Sequence, residues 1–269
     1  MNAAAELLPA GAAFDAIAGN FDARFGDWQS VEAQRRAVRR ALVDLFPEGS
    51  RLLEMGGGTG IDAAWLKAHG REVLLTDASP AMVAEAARKL GPNSAEVMAI
   101  EQLDRLAERG ECFDGAFSNF AGINCVSDLA PMGPSLARLV RPGGHVVLVV
   151  FGCCCPGEMI TEAVRGRFRN VLRRAGKGDV PATLAGRGFN VRYHRRAAIV
   201  AAMAPEFHYA GRTAIGLFVP PSAAEPWISR HPRLLAGLEA ADRVAARRFA
   251  PFGDHILYRF KRRRDGDTA

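Results

Sequence analysis

The chain has 269 residues, of which 49% are hydrophobic and 24% charged, and its formal net charge is +6 at pH 7. That length suits one large α/β domain with a sizeable core, or at most two small domains. Five cysteines are an odd number in a chain of ordinary size, which argues against a disulfide scaffold. The longest apolar run, His145 to Cys155, is far shorter than the roughly 20 residues that cross a bilayer.

The opening residues, MNAAAELLPAGAAFD, have no basic region of the kind that begins a signal peptide. We therefore expect a cytoplasmic location and no transmembrane segment. The positive charge is local, because the stretch from Arg165 to Arg196 holds many Arg and Lys residues and a single acid, Asp179.

The first half of the sequence alternates between helix and strand patterns. Val31 to Phe46 has apolar residues at helical spacing with arginines between them, and Ser79-Pro80 is a serine cap followed by proline, which marks a helix start. The helix that starts there runs to Leu90, and the other predicted helices are Ile61–His69 and Leu129–Val140. The predicted strands are Arg51–Met55, Glu72–Thr76, Ala95–Ala99, Phe113–Ser118 and His145–Phe151. This alternation implies parallel βαβ units in an open sheet that is covered on both faces.

The pattern changes after Phe151. The expected elements there are a basic helical stretch (Glu158–Ala175), a Gly-rich patch (Gly176–Gly188), a short helix (Arg195–Met203), two β runs (Tyr209–Val219 and His255–Lys261) and a helix between them (Pro232–Phe249). We predict one domain, divided into an N-terminal helical lid (1–46), a ligand-binding core (47–151), a basic cap insertion (152–207) and final strands with a helical insertion (208–269).

Glycines follow the first predicted strand in Glu54-Met55-Gly56-Gly57-Gly58-Thr59-Gly60. A strand that runs through such a turn into a helix presents backbone N–H groups to a ligand. The segment from Gly58 to Ala63 fits the dinucleotide fingerprint G-x-G-x-x-A, but two extra glycines separate it from the strand. A P-loop needs Gly-Lys-Ser/Thr, which is absent. The pattern E-x-G-x-G-x-G starting at Glu54 matches without a gap.

Three further motifs stand in the same order and spacing as in a known family. They are Asp77 at the end of the second strand, the fourth strand with Asn119-Phe120 after it, and the turn Arg141-Pro142-Gly143-Gly144 before the fifth strand. With these motifs the chain resembles the class I S-adenosylmethionine (SAM)-dependent methyltransferases. The resemblance implies a Rossmann-like, seven-stranded, mostly parallel sheet with the last strand antiparallel, helices on both faces and a substrate-capping insertion.

The lead-in from Phe14 to Asp22 is similar to the small-molecule branch of that family, which includes the ubiquinone and menaquinone methyltransferases. That branch usually has tyrosine where this chain has Phe14 and Phe21, so the aromatic lid is kept and its hydroxyls are lost. The resemblance implies SAM as cofactor, S-adenosylhomocysteine as product and no metal. The cofactor-binding residues that it implies are Glu54, Gly56, Gly57, Gly58, Thr59, Gly60, Asp77, Ala78, Ser79, Met82, Ile100, Glu101, Asn119 and Phe120.

Two of these residues carry a physical argument of their own. A carboxylate without a partner at a strand end is costly, so we expect loop N–H groups and the cationic cofactor to stabilise Glu54. The Asp77 carboxylate is suited to both ribose hydroxyls of a nucleoside. Met82 has a second reading as helix core, and Glu101 and Gln102 are alternative partners for the adenine amino group.

The cap contains a run of basic residues, Arg165, Arg167, Arg169, Arg173, Arg174 and Lys177. This run is either a solvated surface or a site for an acidic substrate. Nucleic-acid binding is disfavoured because no stacking aromatics accompany the charge. Cys125 and Cys153 to Cys155 are expected at the ligand edge of the sheet, either as small packing residues or as ligands of a soft metal.

The predicted function is methyl transfer from SAM to an O, N or C atom of a small, acidic or aromatic metabolite. The alternatives are an RNA or protein methyltransferase, a SAM-binding protein that catalyses a non-methylating reaction, and an NAD-dependent oxidoreductase. No motif singles out a base; the candidates near the crevice are His208, Tyr209, His194 and Glu158.

Overall fold

The computed structural model describes residues 7–120, 122–176, 178–264 and 266. Its helices are α1 (Ala10–Asp15), α2 (Ala18–Gly26), α3 (Gln29–Leu45), α4 (Ile61–Ala68), α5 (Pro80–Leu90), α6 (Asp104–Glu108), α7 (Met132–Leu139), α8 (Pro156–Val164), α9 (Arg196–Met203) and α10 (Pro232–Ala245). The strands are β1 (Arg51–Met55), β2 (Glu72–Asp77), β3 (Ala95–Val97), β4 (Phe113–Ser118), β5 (Val140–Phe151), β6 (Asp179–Leu184), β7 (Arg187–Arg192), β8 (Phe207–Ile215) and β9 (His255–Arg262).

Seven strands form one sheet in the order β3-β2-β1-β4-β5-β9-β8. Strands β1 to β5 pair in parallel, and β9 lies between β5 and β8, antiparallel to both. The predicted sheet with an inserted antiparallel last strand is confirmed. In this order β2 and β3 follow on one side of β1, and β4 and β5 follow on the other. The carboxyl ends of β1, β2 and β4 therefore border one crevice at this switch in strand order, where ligands bind in open α/β sheets.

Strand β5 shows why the sheet is covered on both faces. Val146, Leu148 and Val150 pack into a cluster with residues of α7 and α9, whereas Val147 and Val149 pack into a second cluster with residues of α3 and α4. Side chains alternate along a strand, so this continuous apolar run fills the two layers at once, as is typical of a buried parallel strand.

Three sequence predictions are wrong in detail. The basic helix ends at Val164, where Gly166 adopts a φ of +70°, and two 3-10 turns follow it (Phe168–Asn170 and Arg173–Ala175). The Gly-rich patch contains the hairpin β6–β7, which turns at Ala185-Gly186 with positive φ at both residues. The turn before the fifth strand is a bulge inside β5, opposite the register shift between Phe113 and Gly115.

None of the described helices is both long enough and apolar enough to cross a membrane.

Candidate cofactor and acceptor site

The glycine loop joins β1 to α4 with three residues in the left-handed region. Gly56, Gly58 and Gly60 have φ values of +63°, +56° and +74°, which side chains other than glycine adopt only with strain. At Gly57 the constraint is space, because a Cβ there would lie 2.5 Å from Leu75 Cδ1. Near Gly58 nothing described comes within 4 Å of such a Cβ, so this part of the loop is open on the crevice side.

Glu54, the last but one residue of β1, is a buried carboxyl group at the base of the loop. It is 2% exposed, and its Oε2 has no hydrogen-bond partner among the described residues. Burial raises the pKa of Glu54 well above its usual range, and the nearby Asp62 carboxylate raises it further, while Arg35 lowers it. An orphaned buried oxygen is costly, so the site fits a cationic hydrogen-bond donor such as an ammonium group.

Asp77 ends β2 on the other side of the loop. Its Oδ2 accepts a hydrogen bond from Gly58 N at 2.8 Å, and its Oδ1 accepts one from Ser79 N at 2.8 Å. Burial raises the pKa of Asp77, and these two N–H donors oppose that shift. A carboxylate has about four lone-pair positions, so two remain for the paired hydroxyls of a ribose.

An ion network that the sequence analysis missed lies behind the loop. Asp62 Oδ2 accepts hydrogen bonds from Arg35 Nη1 at 2.6 Å and from Asn119 Nδ2 at 2.7 Å, and Asp62 Oδ1 accepts one from Arg39 Nε at 2.9 Å. Asn119 also accepts a bond from Phe120 N, so both ends of its amide are held. The i, i+4 spacing of the two arginines on the predicted helix was the only signal for this network.

Phe120 is placed by strained backbone. It has a φ of +47°, which is uncommon outside glycine, and the Arg35 guanidinium lies 4.7 Å from its ring centroid. The ring therefore stands where β4 opens onto the crevice, next to the Asp62 network.

The predicted residues after Asp77 are covered by the N-terminal helices. Gly11 in α1 packs so closely on Ala78 that a Cβ at Gly11 would lie 2.8 Å from Ala78 O. Ser79 Oγ donates to Asp15 Oδ1 and accepts from Met82 N, which makes it the cap of α5. Met82 is 1% exposed and packs in a small cluster with α2 residues. Contacts within the protein thus occupy Ser79 and Met82, and their predicted role in cofactor binding stays a prediction.

The segment after β3 borders the loop through one side chain. Ile100 Cδ1 would lie 3.8 Å from a Cβ at Gly56, so Ile100 is beside the glycine turn. Glu101 is exposed. Gln102 Oε1 accepts a bond from Ala99 N, so its amide caps a 3-10 turn. Because the Gln102 oxygen already accepts this bond, Glu101 is the predicted adenine partner whose carboxylate is still available.

Helix α2 is tied directly to the loop. Asp22 accepts a hydrogen bond from Thr59 Oγ1 at 2.5 Å and forms an ion pair with Lys89 of α5. Thr59 therefore binds the lid in this structure. The lid also reaches the cap, because the ring centroids of Phe14 and Phe189 of β7 are 5.5 Å apart.

An aromatic cluster lies at the carboxyl end of β5, and we define it as Phe14, Phe120, Phe151, Phe189, Tyr193 and His255. The His255 ring stacks on Phe151 at 4.6 Å and stands edge-on to Phe120 at 5.3 Å. Asn124 joins the neighbouring segments, because its amide bonds Arg192 O and Phe151 N. Residues of the lid, of the crevice after β4 and of the cap therefore meet here.

Polar side chains fix the protonation of His255. Gln34 Nε2 donates to Asp254 Oδ2 at 3.1 Å, which turns Gln34 Oε1 toward His255 Nδ1, also at 3.1 Å. Since an amide oxygen only accepts, Nδ1 carries the proton and Nε2 carries the lone pair of the neutral ring. Burial lowers the pKa of His255, and Asp254 opposes that shift.

Two arginines near the end of the basic run, Arg173 and Arg174, are paired with buried acids. Arg174 is buried and bonds Glu158 and Asp254, and Arg173 bonds Glu158 with both of its donors. Asp254 is 80 residues from Arg174 in sequence, whereas Glu158 lies in α8, just before the run. Lys177, the last member of the run, lies outside the described residues.

The cysteines are free thiols. Burial raises the pKa of both Cys125 and Cys155 to about 12, so these groups are neutral. Within the residues that the structure describes, no three His, Cys, Asp or Glu side chains are grouped to hold a metal ion.

The base candidates named from the sequence lie elsewhere or are occupied. His194 Nε2 contacts Val126 O, Tyr209 packs against Tyr258 and Phe260, and Glu158 is held by two arginines. His208 is exposed on β8. His255 was missed because Gln34, the residue that orients its ring, comes from α3, 221 residues away in sequence.

Comparison with known proteins agrees with this architecture. A family model described as a methyltransferase domain matches residues 52–144. The ubiquinone/menaquinone biosynthesis C-methyltransferase UbiE of Acidiphilium cryptum is 31% identical over 148 residues, which is 51% of this chain and 57% of that protein. The chain spans from 28% to 57% of the length of the curated relatives it matches.

Two solved structures show the same fold. The [4+2]-cyclase SpnF superposes with a TM-score of 0.58 at 13% identity, covering 98% of this chain and 100% of that one. Geranyl diphosphate C-methyltransferase from Streptomyces coelicolor A3(2), solved with S-adenosyl-L-homocysteine, superposes with a TM-score of 0.50 at 17% identity, covering 85% and 79%. Residues 52–144 thus match a methyltransferase domain, and the sheet that contains them is similar in fold to that of a SAM-dependent methyltransferase.

Proposed function

We propose that this protein transfers the methyl group of SAM to an O, N or C atom of a small apolar or aromatic acceptor. The observation that carries the proposal is the pair of carboxyl groups around the glycine loop. Glu54 has a buried oxygen without a partner, and Asp77 is held by two N–H groups with lone pairs to spare.

These two groups match the polar ends of SAM. Glu54 would hold the ammonium group, Asp77 the ribose hydroxyls, and the open face at Gly58 leaves room for the ligand against the backbone. When bound, SAM supplies an electrophilic methyl group. A solved relative in fold was crystallised with S-adenosyl-L-homocysteine, which supports the same cofactor here.

The acceptor is proposed from the aromatic cluster. Aromatic rings favour flat or apolar ligands through stacking and burial. The cluster includes Phe120, near which the methionine end of the cofactor is expected. An acidic acceptor is less well supported, because Arg173 and Arg174 already bind Glu158 and Asp254. The cytoplasmic location expected from the sequence remains part of this proposal.

His255 is the group that we assign to receive a proton from the acceptor. Its Nε2 carries the lone pair, and Asp254 lies 3.5 Å from Nδ1, where a carboxylate stabilises the imidazolium that forms. Positioning supplies much of the remaining acceleration, because a sulfonium methyl group needs only an aligned nucleophile.

The proposal is tested by incubating the protein with SAM and a panel of phenols, enols and aromatic amines. We expect S-adenosylhomocysteine and a product heavier by one methyl group to form in equal amounts. Asp77→Ala should abolish both, and Asp104→Asn, at a half-exposed acid on α6, should change neither. A converted acceptor without S-adenosylhomocysteine would instead identify a non-methylating activity.

The role of His255 has its own test. Because burial lowers its pKa, the neutral base predominates above that pKa, and the rate should rise with pH through it and then level off. His255→Phe, which keeps the ring stack on Phe151, should remove that rise and slow weakly acidic acceptors by about 100-fold. The methylation rate of an acceptor that is already ionised should fall little in this variant. Equal losses for both acceptors would show that His255 is only structural.

A further inference from the structure

The cap exposes a group of large apolar side chains. Ile160 and Val164 stand one turn apart on α8 and are 65% and 82% exposed; Phe168 and Leu172 follow in the 3-10 region and are 73% and 65% exposed. The 3-10 turn at Phe168–Asn170 packs against α8, so Phe168 lies beside the helix. No other stretch of thirteen residues in the part of the chain that the structure describes holds four exposed large apolar side chains.

Arginines lie among these residues, and the one acid between Ile160 and Leu172, Glu162, is buried 3.8 Å from Arg167. Arg165, Arg167, Arg169 and Arg173 are exposed, whereas the acids of the same segment, Glu158 and Glu162, are buried. Glu158 faces inward to Arg174. Arg173 already binds Glu158 with two donors. The outer side of the segment therefore combines apolar side chains with the other three arginines, and we call these seven residues, Ile160, Val164, Phe168, Leu172, Arg165, Arg167 and Arg169, the cap surface.

We infer that the cap surface docks the protein on an anionic lipid bilayer. Apolar side chains on a basic amphipathic segment enter the boundary between headgroups and acyl chains, and arginines around them bind anionic headgroups. A second copy of the chain fits this surface less well. A two-fold contact places the same patch on both subunits, which would bring six arginines together without exposed acids of the segment to balance them.

The inner side of the same segment adjoins the proposed acceptor site. Arg174 follows Leu172 by two residues, and its guanidinium lies 5.0 Å from the Phe151 ring of the aromatic cluster. Docking would thus bring the cluster next to the membrane, where apolar acceptors partition. The docking itself does not depend on methyl transfer and is measured without any substrate.

The test is flotation of the purified protein with vesicles. We expect binding to vesicles of equimolar phosphatidylcholine and phosphatidylglycerol, little binding to phosphatidylcholine alone, and release in about 1 M salt, where the Debye length falls to about 3 Å. The double variant Val164→Ser/Phe168→Ser should bind at least about tenfold more weakly. Val244→Ser, at an 86% exposed valine of α10, is the matched control and should bind as the wild type does.

A charge variant separates lipid docking from other contacts. Arg165→Gln/Arg169→Gln should weaken binding by about fivefold for each arginine, and Arg243→Gln/Arg247→Gln, in the last turn of α10 and just beyond it, should not. The inference is overturned if the wild type does not float with anionic vesicles, or if the controls lose as much binding as the cap variants. It is also overturned if light scattering shows a dimer that Val164→Ser/Phe168→Ser converts to a monomer.

Discussion

The orphaned carboxyl group of Glu54 predicts a pH-dependent affinity for the cofactor. In the free protein, burial and Asp62 hold the pKa of Glu54 well above its usual range, so the group keeps its proton at a pH where other glutamates have lost theirs. A bound ammonium group favours the carboxylate and lowers that pKa. Binding therefore releases a proton, and the dissociation constant should fall as pH rises toward the raised pKa of the free protein.

The size of the effect follows from linkage. Below the raised pKa, each unit of pH costs about 1.4 kcal/mol in ionisation, or about tenfold in Kd. Glu54→Gln has no proton to release and loses a charge-assisted hydrogen bond of about 1.5–3 kcal/mol, which is about 10- to 150-fold in Kd. The gap between wild type and variant should be widest at high pH and shrink by about tenfold for each unit of acidification.

Isothermal titration with S-adenosylhomocysteine measures both the dissociation constant and the number of protons released on binding. The range from about pH 5.5 to 7.5 keeps the ligand's amino group charged, and buffers that differ in ionisation enthalpy report the proton released. Glu48→Gln, at an exposed acid, is the control. A Glu54→Gln variant with the same pH slope as the wild type, or binding without proton release, would refute the assignment of Glu54 to the ammonium group.

Three further predictions concern the loop and its supports. Asp62→Asn removes the charge that two buried arginines share, so unfolding in urea should reveal a loss of about 3–5 kcal/mol; an unchanged midpoint would contradict this. Gly57→Ala should destabilise the protein because its Cβ has no space, whereas Gly237→Ala, in open space on α10, should stabilise by about 0.5–1 kcal/mol; calorimetry compares them, and equal shifts would count against the packing argument. Asp22→Asn weakens the bond from Thr59, so stopped-flow release of S-adenosylhomocysteine should be about fivefold faster at nearly constant Tm, and an unaltered rate would separate the lid from ligand exchange.

Glycines and helix caps at the ends of elements made the core of the fold predictable. The strand Arg51–Met55 ends at three glycines, and the helix after Ser79-Pro80 begins with the cap that the sequence indicates. These signals lie within a few residues of the feature they predict. They identified the sheet, the crevice and the two carboxyl groups that border it.

Pairing over long sequence distances was not predictable. The buried Asp254 binds Arg174 from 80 residues away and Gln34 from 220, and nothing in the local pattern of any of the three residues indicates the others. The sequence analysis predicted only a Gly-rich patch where the hairpin β6–β7 forms, because glycines outweigh its short alternation of apolar residues. Its strands gain stability from packing on the lid, through Phe189 and Ala13, which only the folded chain shows.

Helix α3 carries consecutive residues that serve two different sites. Gln34 orients the imidazole beside the aromatic cluster, and Arg35 holds the Asp62 carboxylate behind the glycine loop. A rigid displacement of this one helix changes both sites together, so occupancy of either should alter the affinity of the other, and by the same factor in each direction. We expect the two ligands to bind as partners in a thermodynamic cycle rather than as independent events, with α3 as the element that joins them.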